Sequence, residues 1–426
     1  MRLRPPGTGT APPPRLPLLA PFRQRSFRWQ WPADLATSWA FEVETLILGW
    51  YVLTETGSVV WLAAFGALQF LGTLIAPMFG VMGDRVGHRP VLCAMRGTYA
   101  LLAACIAALA LAGALTPAAV LIVSALAGLV RPSDWGMRNA LIGATMPPAL
   151  LMGAMGVARM SMDSARIAGA LTGAGLGAAL GVGWAYVVVT ALYLVSLGLT
   201  LRVAETRPGG VAGASAASAW RDLGEGFRHV WTTPALLAAM ALACLANFAA
   251  YPISGGLLPH VAREVYGIDR TGLGYLVASF AGGGLLGSLV LTREGARLPP
   301  ARTALLAALL WFGLLLAFAR VTEAGAGMAL LAAAGFVQSF CMVPMNVLLL
   351  RTAAEAFRGR VMGLRMLAIY GLPMGLLLAG PLIERLGFAD AATLYAGFGV
   401  VCTLAIALRW RAHLWPAGAP ANALRR

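Results

Sequence analysis

Residues 80–89 read Gly80-Val81-Met82-Gly83-Asp84-Arg85-Val86-Gly87-His88-Arg89. On either side lie apolar runs, 58–79 and 91–112, each close to the ~20 residues that carry a helix across a bilayer. The stretch therefore reads as a polar turn joining two membrane spans, in which glycine permits the tight backbone and the charged side chains stay in water. The same alternation of long apolar run and short break repeats along the chain. Helices are expected near 33–53, 58–79, 91–112, 117–138, 154–181 and 183–202, and again near 234–258, 270–292, 303–321, 325–349, 361–384 and 389–410.

Composition leads to the same class. Of 426 residues, 59% are hydrophobic and 12% charged, against roughly 45–50% and 25% in soluble domains. Mean hydropathy is +0.77. A water-soluble enzyme is excluded, and about 250 apolar positions would fill about twelve spans. The expected fold is an all-α membrane protein, with twelve transmembrane helices in two six-helix bundles related by an internal repeat. Domains follow as a basic disordered cytoplasmic tail (1–30), a first bundle (31–203), a central cytoplasmic linker (204–232), a second bundle (233–412) and a cytoplasmic tail (413–426). The one apolar patch of the first tail, Leu16 to Ala20, is too short for a signal-peptide core.

All 32 positive residues are Arg, giving a formal charge of +15. They cluster in breaks between apolar runs, which suits an anionic membrane surface rather than nucleic acid. With the N-terminus inside, the inner segments hold 22 Arg and the outer loops only Arg263, Arg270, Arg320 and Arg385. The positive-inside rule then puts both termini in the cytoplasm of a multi-pass inner (plasma) membrane protein. Five cysteines, all within apolar runs, have neither disulfide nor metal spacing, and no metal or cofactor is expected.

A shift of 207 residues superposes Gly80 on Gly287, Asn139 on Asn346, Met155 on Met362, Gly156 on Gly363 and Gly173 on Gly380. These identities fall at equivalent places in the helix order, as parallel repeats do in transporters.

The 80–89 stretch resembles the signature loop of the major facilitator superfamily, in which an Asp beside an Arg ties adjacent helix ends. The resemblance implies a conformational latch made of Gly80, Gly83, Asp84, Arg85, Gly87 and Arg89. In the second half Arg293, Gly295 and Arg297 echo it, but Thr292 stands where Asp84 would be, so the latch is expected on one side only. Arg358-Gly359-Arg360-Val361-Met362-Gly363 is similar to a segment of the drug:proton antiporter branch that includes macrolide and siderophore exporters. Arg166-Ile167-Ala168-Gly169-Ala170 resembles that branch's Arg followed by Gly-Pro, with Ala170 replacing the proline.

Helix 5 carries Gly169, Gly173, Gly177 and Gly181, one every four residues, so one face lets another helix backbone approach closely. In the superfamily pattern this packing face meets the other half of the molecule and gates it.

Charge inside apolar runs is the strongest chemical signal. Arg131, Asp134 and Arg138 share one face of helix 4, and Arg159, Asp163 and Arg166 share one face of helix 5. A charge at mid-membrane costs ~2.5–3.5 kcal/mol on insertion scales, so both triplets must face protein or water. They read either as static ion-pair seams or as a charged cavity wall. Helix 1 adds Asp34, Glu42 and Glu44, with Asp34, Ser38, Glu42, Thr45 and Gly49 on one face and Glu44 on another. Burial favours a protonated carboxylate and a nearby Arg an ionised one, so a carboxylate whose surroundings alternate can carry protons. The two Arg neighbours of Asp134 and Asp163 should keep those groups ionised, and Asp34 is expected near the watered inner surface. Proton-coupling candidates are thus Glu42 and Glu44, expected to lack a local Arg, then Asp163 and Asp34, with Glu42 first. Asn247, Gln338 and Asn346 are candidate substrate contacts in the second half, or else interhelical hydrogen-bond partners.

The expected function is a secondary active transporter that works by alternating access, a proton-coupled exporter of small amphipathic compounds. Its expected partners are a small-molecule substrate, protons and the lipid bilayer, and the chain is expected to act as a monomer. Uptake symport or uniport is the alternative, and a non-transporting sensor or embedded enzyme the distant one. Without Lys there is no G-x-x-x-x-G-K-[ST] phosphate loop, and no metal-site motif supports an enzyme.

Overall fold

A computed structural model describes residues 19–73, 75–204, 216–294, 298–354 and 357–414. Among these, nine helical stretches are long and apolar enough to cross a membrane. One of them, Gly153–Thr200, belongs to a continuous helix Pro148–Thr200 that bends at Gly181, so it supplies two spans. The helix that precedes the nine and a two-piece helix after it complete the twelve.

In chain order the spans are α1 (Arg25–Thr56), α2 (Val59–Leu68 and Ala76–Val86, joined by a short 3-10 turn), α3 (His88–Leu111), α4 (Pro117–Thr145), then α5 (148–180) and α6 (182–200). A linker helix, α7 (Ala216–Thr232), leads to α8 (Pro234–Val265), α9 (Arg270–Glu294), α10 (Pro300–Phe318), α11 (Ala324–Thr352), α12 (Arg358–Leu367 and Gly371–Leu386) and α13 (Phe388–Arg409). Each half buries its own apolar core. The core of the second half also takes in Leu46, Val59, Ala63, Ala170 and Ala174, where the two halves meet.

Helix 1 starts at Arg25 rather than at 33, and a 3-10 turn, Ala20–Arg23, precedes it. The end of the expected tail is therefore ordered, because its aromatic residues are anchored. Phe27 is buried against Ile142, Met146, Ala154 and Val157, and the Arg202 guanidinium lies 4.9 Å from the centre of the Trp29 ring. Residues 1–18, 205–215 and 415–426 of the expected tails and linker lie outside the described residues.

Residues 80–86 are not a loop but the last turns of α2, and Gly87 alone separates α2 from α3, which starts at His88. Its φ of 108° is open to glycine and strained for other residues. The expected helix 2 is instead interrupted after Leu68, where Gly72 and Gly128 bring α2 and α4 together backbone to backbone. In α8 three π-type turns (Ala246–Ala250, Pro252–Gly256, Val261–Val265) widen the helix, a distortion that commonly marks functional sites.

The ends of the molecule differ. At the end opposite α7 the halves are sealed: the Ser58 hydroxyl donates to Glu384 (2.8 Å) and Arg263 donates to the Leu53 carbonyl (2.8 Å). Gly380 packs on Val60 and Ala63 there, and a Cβ on it would lie 3.0 Å from the Val60 Cα. At the linker end α7 packs against the second piece of α2 and the first piece of α12, and Arg360 pairs with Glu225 at 2.8 Å.

Candidate functional site

Three cavities share lining residues, two between the halves and one within the first half. The first, about 300 Å³, is lined mainly by apolar residues of α1, α2, α8, α9 and α12, among them Leu46, Leu62, Phe65, Leu273 and Leu376. The register of these residues along their helices puts it toward the sealed end. The second, about 340 Å³, is polar, lies toward the linker end and is lined by Arg159, Asp163, Arg166, Asn247, Gln338 and Arg365, with others. A third, about 210 Å³, reaches into the first half between Ser38, Glu42, Gln69, Arg131, Asp134 and Arg138. Phe70 and Arg166 line all three.

The polar face expected on α1 faces these spaces: Ser38 and Glu42 line the third cavity, and Glu42, Thr45 and Gly49 line the first. Glu42 meets Arg166 of α5 at 3.4 Å, with both side chains partly open to the cavities. Glu44, on the other side of α1, is buried. It pairs with Arg131 of α4 at 2.9 Å and accepts from the Tyr193 hydroxyl at 2.7 Å. Both glutamates thus have an Arg partner after all, supplied by another helix, which spacing within helix 1 does not reveal.

Asp34 keeps a partly exposed side chain, 14% accessible, but is not a lone carboxylate. It binds the fully buried Arg96 of α3, lies 3.8 Å from Arg138 and accepts from Gln30 at 3.3 Å. Asp134 pairs with Arg138, whose Nη1 donates to Ser38 at 2.7 Å. Arg131 leaves Asp134 for Glu44 and Gln69 and lies 4.4 Å from the centre of the Phe41 ring. On α5, Asp163 pairs with Arg159 at 3.3 Å while Arg166 turns to Glu42. Each expected triplet is thus divided between helices. Arg96 and Arg365 belong to the polar interior as well, and their signal is a charge within an apolar run.

The glycine face of α5 divides too. Gly169 and Gly173 pack on α1 of their own half, a Cβ on Gly173 falling 3.0 Å from the Val43 Cα. Gly177 meets Arg270 of the second half, and Gly181, with φ 71°, is the bend between α5 and α6. The face that meets the other half lies one residue round: a Cβ on Gly274 of α9 would be 2.6 Å from the Ala174 Cβ and 3.1 Å from the Ala170 carbonyl oxygen. On α5 the halves thus meet through Ala170, Ala174 and Gly177, while Gly169 and Gly173 stay against α1.

In the latch, Gly83 packs on Met137 and His88, and Arg89 donates to the Leu201 carbonyl at the end of α6. Gly80 and Arg85 lie in α2. The side chain of Asp84 lies outside the described residues. In the second half Asn247 and Gln338 line the polar cavity. Gln338 donates to the Tyr251 hydroxyl at 2.7 Å, and Asn247 donates to its own helix at Ala243. Asn346 lines none of the three cavities, and its carbonyl oxygen is buried without a hydrogen-bond partner among the described residues.

Solved structures share this architecture. The POT-family transporter PepTSo matches with a TM-score of 0.74 at 12% identity, over 91% of this chain and 98% of that one. A bacterial homologue of the human lysosomal transporter Spinster, inward-facing and unoccupied, matches with a TM-score of 0.67 at 14% identity, over 90% and 95%. In sequence, the multidrug efflux pump Tap of Mycolicibacterium fortuitum is 29% identical over 373 residues, 82% of this chain and 85% of that one. Tap of Mycobacterium tuberculosis is 32% identical over 190 residues, 44% of each chain. Residues 35–376 match the family model described as Major Facilitator Superfamily; with its twelve helices closing around shared cavities, the chain belongs to that superfamily of multi-pass membrane transporters of small molecules.

Proposed function

We propose that this transporter exports small amphipathic compounds from the cytoplasm in exchange for protons, by alternating access and as a monomer in the lipid of the plasma membrane. The similarity to Tap supports export, and the 22 Arg of the inner segments support a cytoplasmic linker end and cytoplasmic termini. On that reading the cavities face inward, with the outer end sealed by the Ser58–Glu384 and Arg263–Leu53 contacts. Within it the two expected bundles, 31–203 and 233–412, are joined by the linker, with the first helix extended back to Arg25.

The observation that carries proton coupling is the Glu42–Arg166 pair, 3.4 Å apart where the cavities meet and tying α1 to α5. A rearrangement of α5 against α1 parts them and frees the Glu42 carboxylate to serve as the proton-carrying group. Asp163, paired with the largely exposed Arg159, is the second carrier. Glu44 and Asp34, held deep in the first half by Arg131 and Arg96, act as fixed structural charges. Asp84 and Arg85 remain the proposed latch, and Asp84→Asn should slow turnover without unfolding the protein.

The test is transport in proteoliposomes loaded with a pH-sensitive dye, using a panel of fluorescent amphipathic compounds. Glu42→Gln should abolish substrate-driven proton flux while substrate binding persists, and Glu44→Gln should leave coupling intact in whatever protein folds. Normal proton flux in Glu42→Gln would remove Glu42 from the mechanism. Substrate accumulation in the opposite direction would make the protein an uptake symporter.

A further inference from the structure

The polar cavity holds more positive than negative side chains. Arg159 is matched by Asp163 at 3.3 Å and Arg166 by Glu42 at 3.4 Å. Arg365, from the first piece of α12, lines the same cavity, and among the described residues it has no carboxylate within pairing distance. Its Nη2 lies 3.9 Å from the Met342 sulfur, and its Nε is buried without a hydrogen-bond partner among the described residues. A guanidinium offers five donors, a thioether is a weak acceptor, and a charge inside a membrane bundle is ordinarily paired. Beside it in the cavity wall, Tyr251 accepts from Gln338 at 2.7 Å, which leaves its own hydroxyl proton to donate. Tyr251 and Phe280 also line the apolar cavity of about 300 Å³, so a cationic donor site and an apolar chamber share a wall.

We propose that Arg365, helped by the Tyr251 hydroxyl, receives the anionic head of an amphipathic substrate whose apolar body lies in the adjoining chamber. The substrate class is thus an amphipathic carboxylate or comparable monoanion, which a guanidinium can hold through two parallel hydrogen bonds. The proposal rests on reading these cavities as the substrate site, and it adds the sign of the substrate's charge. An anion here would also lie close to Arg159 and Arg166 and compete with Asp163 and Glu42 for them.

The test measures binding to the full chain in lipid nanodiscs, without any proton gradient, using naphthaleneacetate and its neutral amide as probes. Wild type should bind the acid about tenfold or more tighter than the amide, the weight of a charge-assisted hydrogen bond. Arg365→Met should bring the acid down to the affinity of the amide and leave the amide unchanged. Arg365→Gln, which keeps polarity and most of the reach, should lose the same preference, so the result does not depend on one variant folding. The acid should raise the Tm of the wild type and of neither variant. An acid preference that persists in both variants, or no preference in the wild type, overturns the proposal. Because binding is read apart from transport, Arg365-dependent binding without proton flux would refute the coupling mechanism alone. Proton-coupled export of acid and amide alike would refute this proposal alone.

Discussion

In the first half, the five carboxylates in or beside the cavities each hold a guanidinium: Asp34 with Arg96, Glu42 with Arg166, Glu44 with Arg131, Asp134 with Arg138 and Asp163 with Arg159. The facing wall of the second half is built from neutral groups such as Asn247, Tyr251 and Gln338, with Arg365 as its charge. Two bundles of the same architecture thus treat polarity differently. A buried ion pair adds little net stability but is expensive to break, since the survivor is left charged and dry. A neutral hydrogen bond at a cavity wall can be lost and replaced by water. The three more buried pairs, those of Asp34, Glu44 and Asp134, accordingly fix the composition of the first half's interior, while the second half can alter its wall, and hence its ligands, at small cost.

Asp34→Ala breaks this comparison most severely. It leaves Arg96, fully buried in α3, without its partner, and should cost about 3–5 kcal/mol, seen as a large fall in Tm or loss of folded protein. A Tm close to that of wild type would mean that the first half is no more rigidly paired than the second. Ala174→Leu tests the seam between the halves rather than either wall. With Gly274 pressed against it, overpacking should cost about 1–3 kcal/mol and reduce transport more than Leu180→Ala, a truncation at an exposed position of the same helix. Equal transport in the two variants would show that the seam is compliant. The smallest effect belongs to Gln338→Leu, which removes one neutral hydrogen bond and should cost only about 0.5–1.5 kcal/mol. A loss as large as that of Asp34→Ala would place a locked network in the second half too.

The helix count, the halves and the cavity-facing side of α1 were legible because apolar length and 3.6-residue periodicity are local properties. The pairing was not. Glu44 meets Arg131 and Tyr193 across 87 and 149 residues of chain, and a helical wheel shows only which side a charge leaves by. Arg131, Asp134 and Arg138 look like a self-contained triplet, yet Arg131 serves α1 and Arg138 serves both Asp134 and Asp34. The glycine stripe of α5 misled for a related reason. Glycine marks close approach without naming the neighbour, and at Gly169 and Gly173 the neighbour is α1.

The bend at Gly181, where α5 passes into α6 without a connecting loop, turns those two helices into an elbow. Its φ of 71° is one that a side chain strains, so any other residue here would change the angle between the arms. Both arms belong to one bundle, so spin labels at the exposed Leu171 and Val187 should report one unchanging distance throughout a transport cycle in which that bundle moves as a unit. That pair is a built-in ruler, against which the travel of every other helix can be measured.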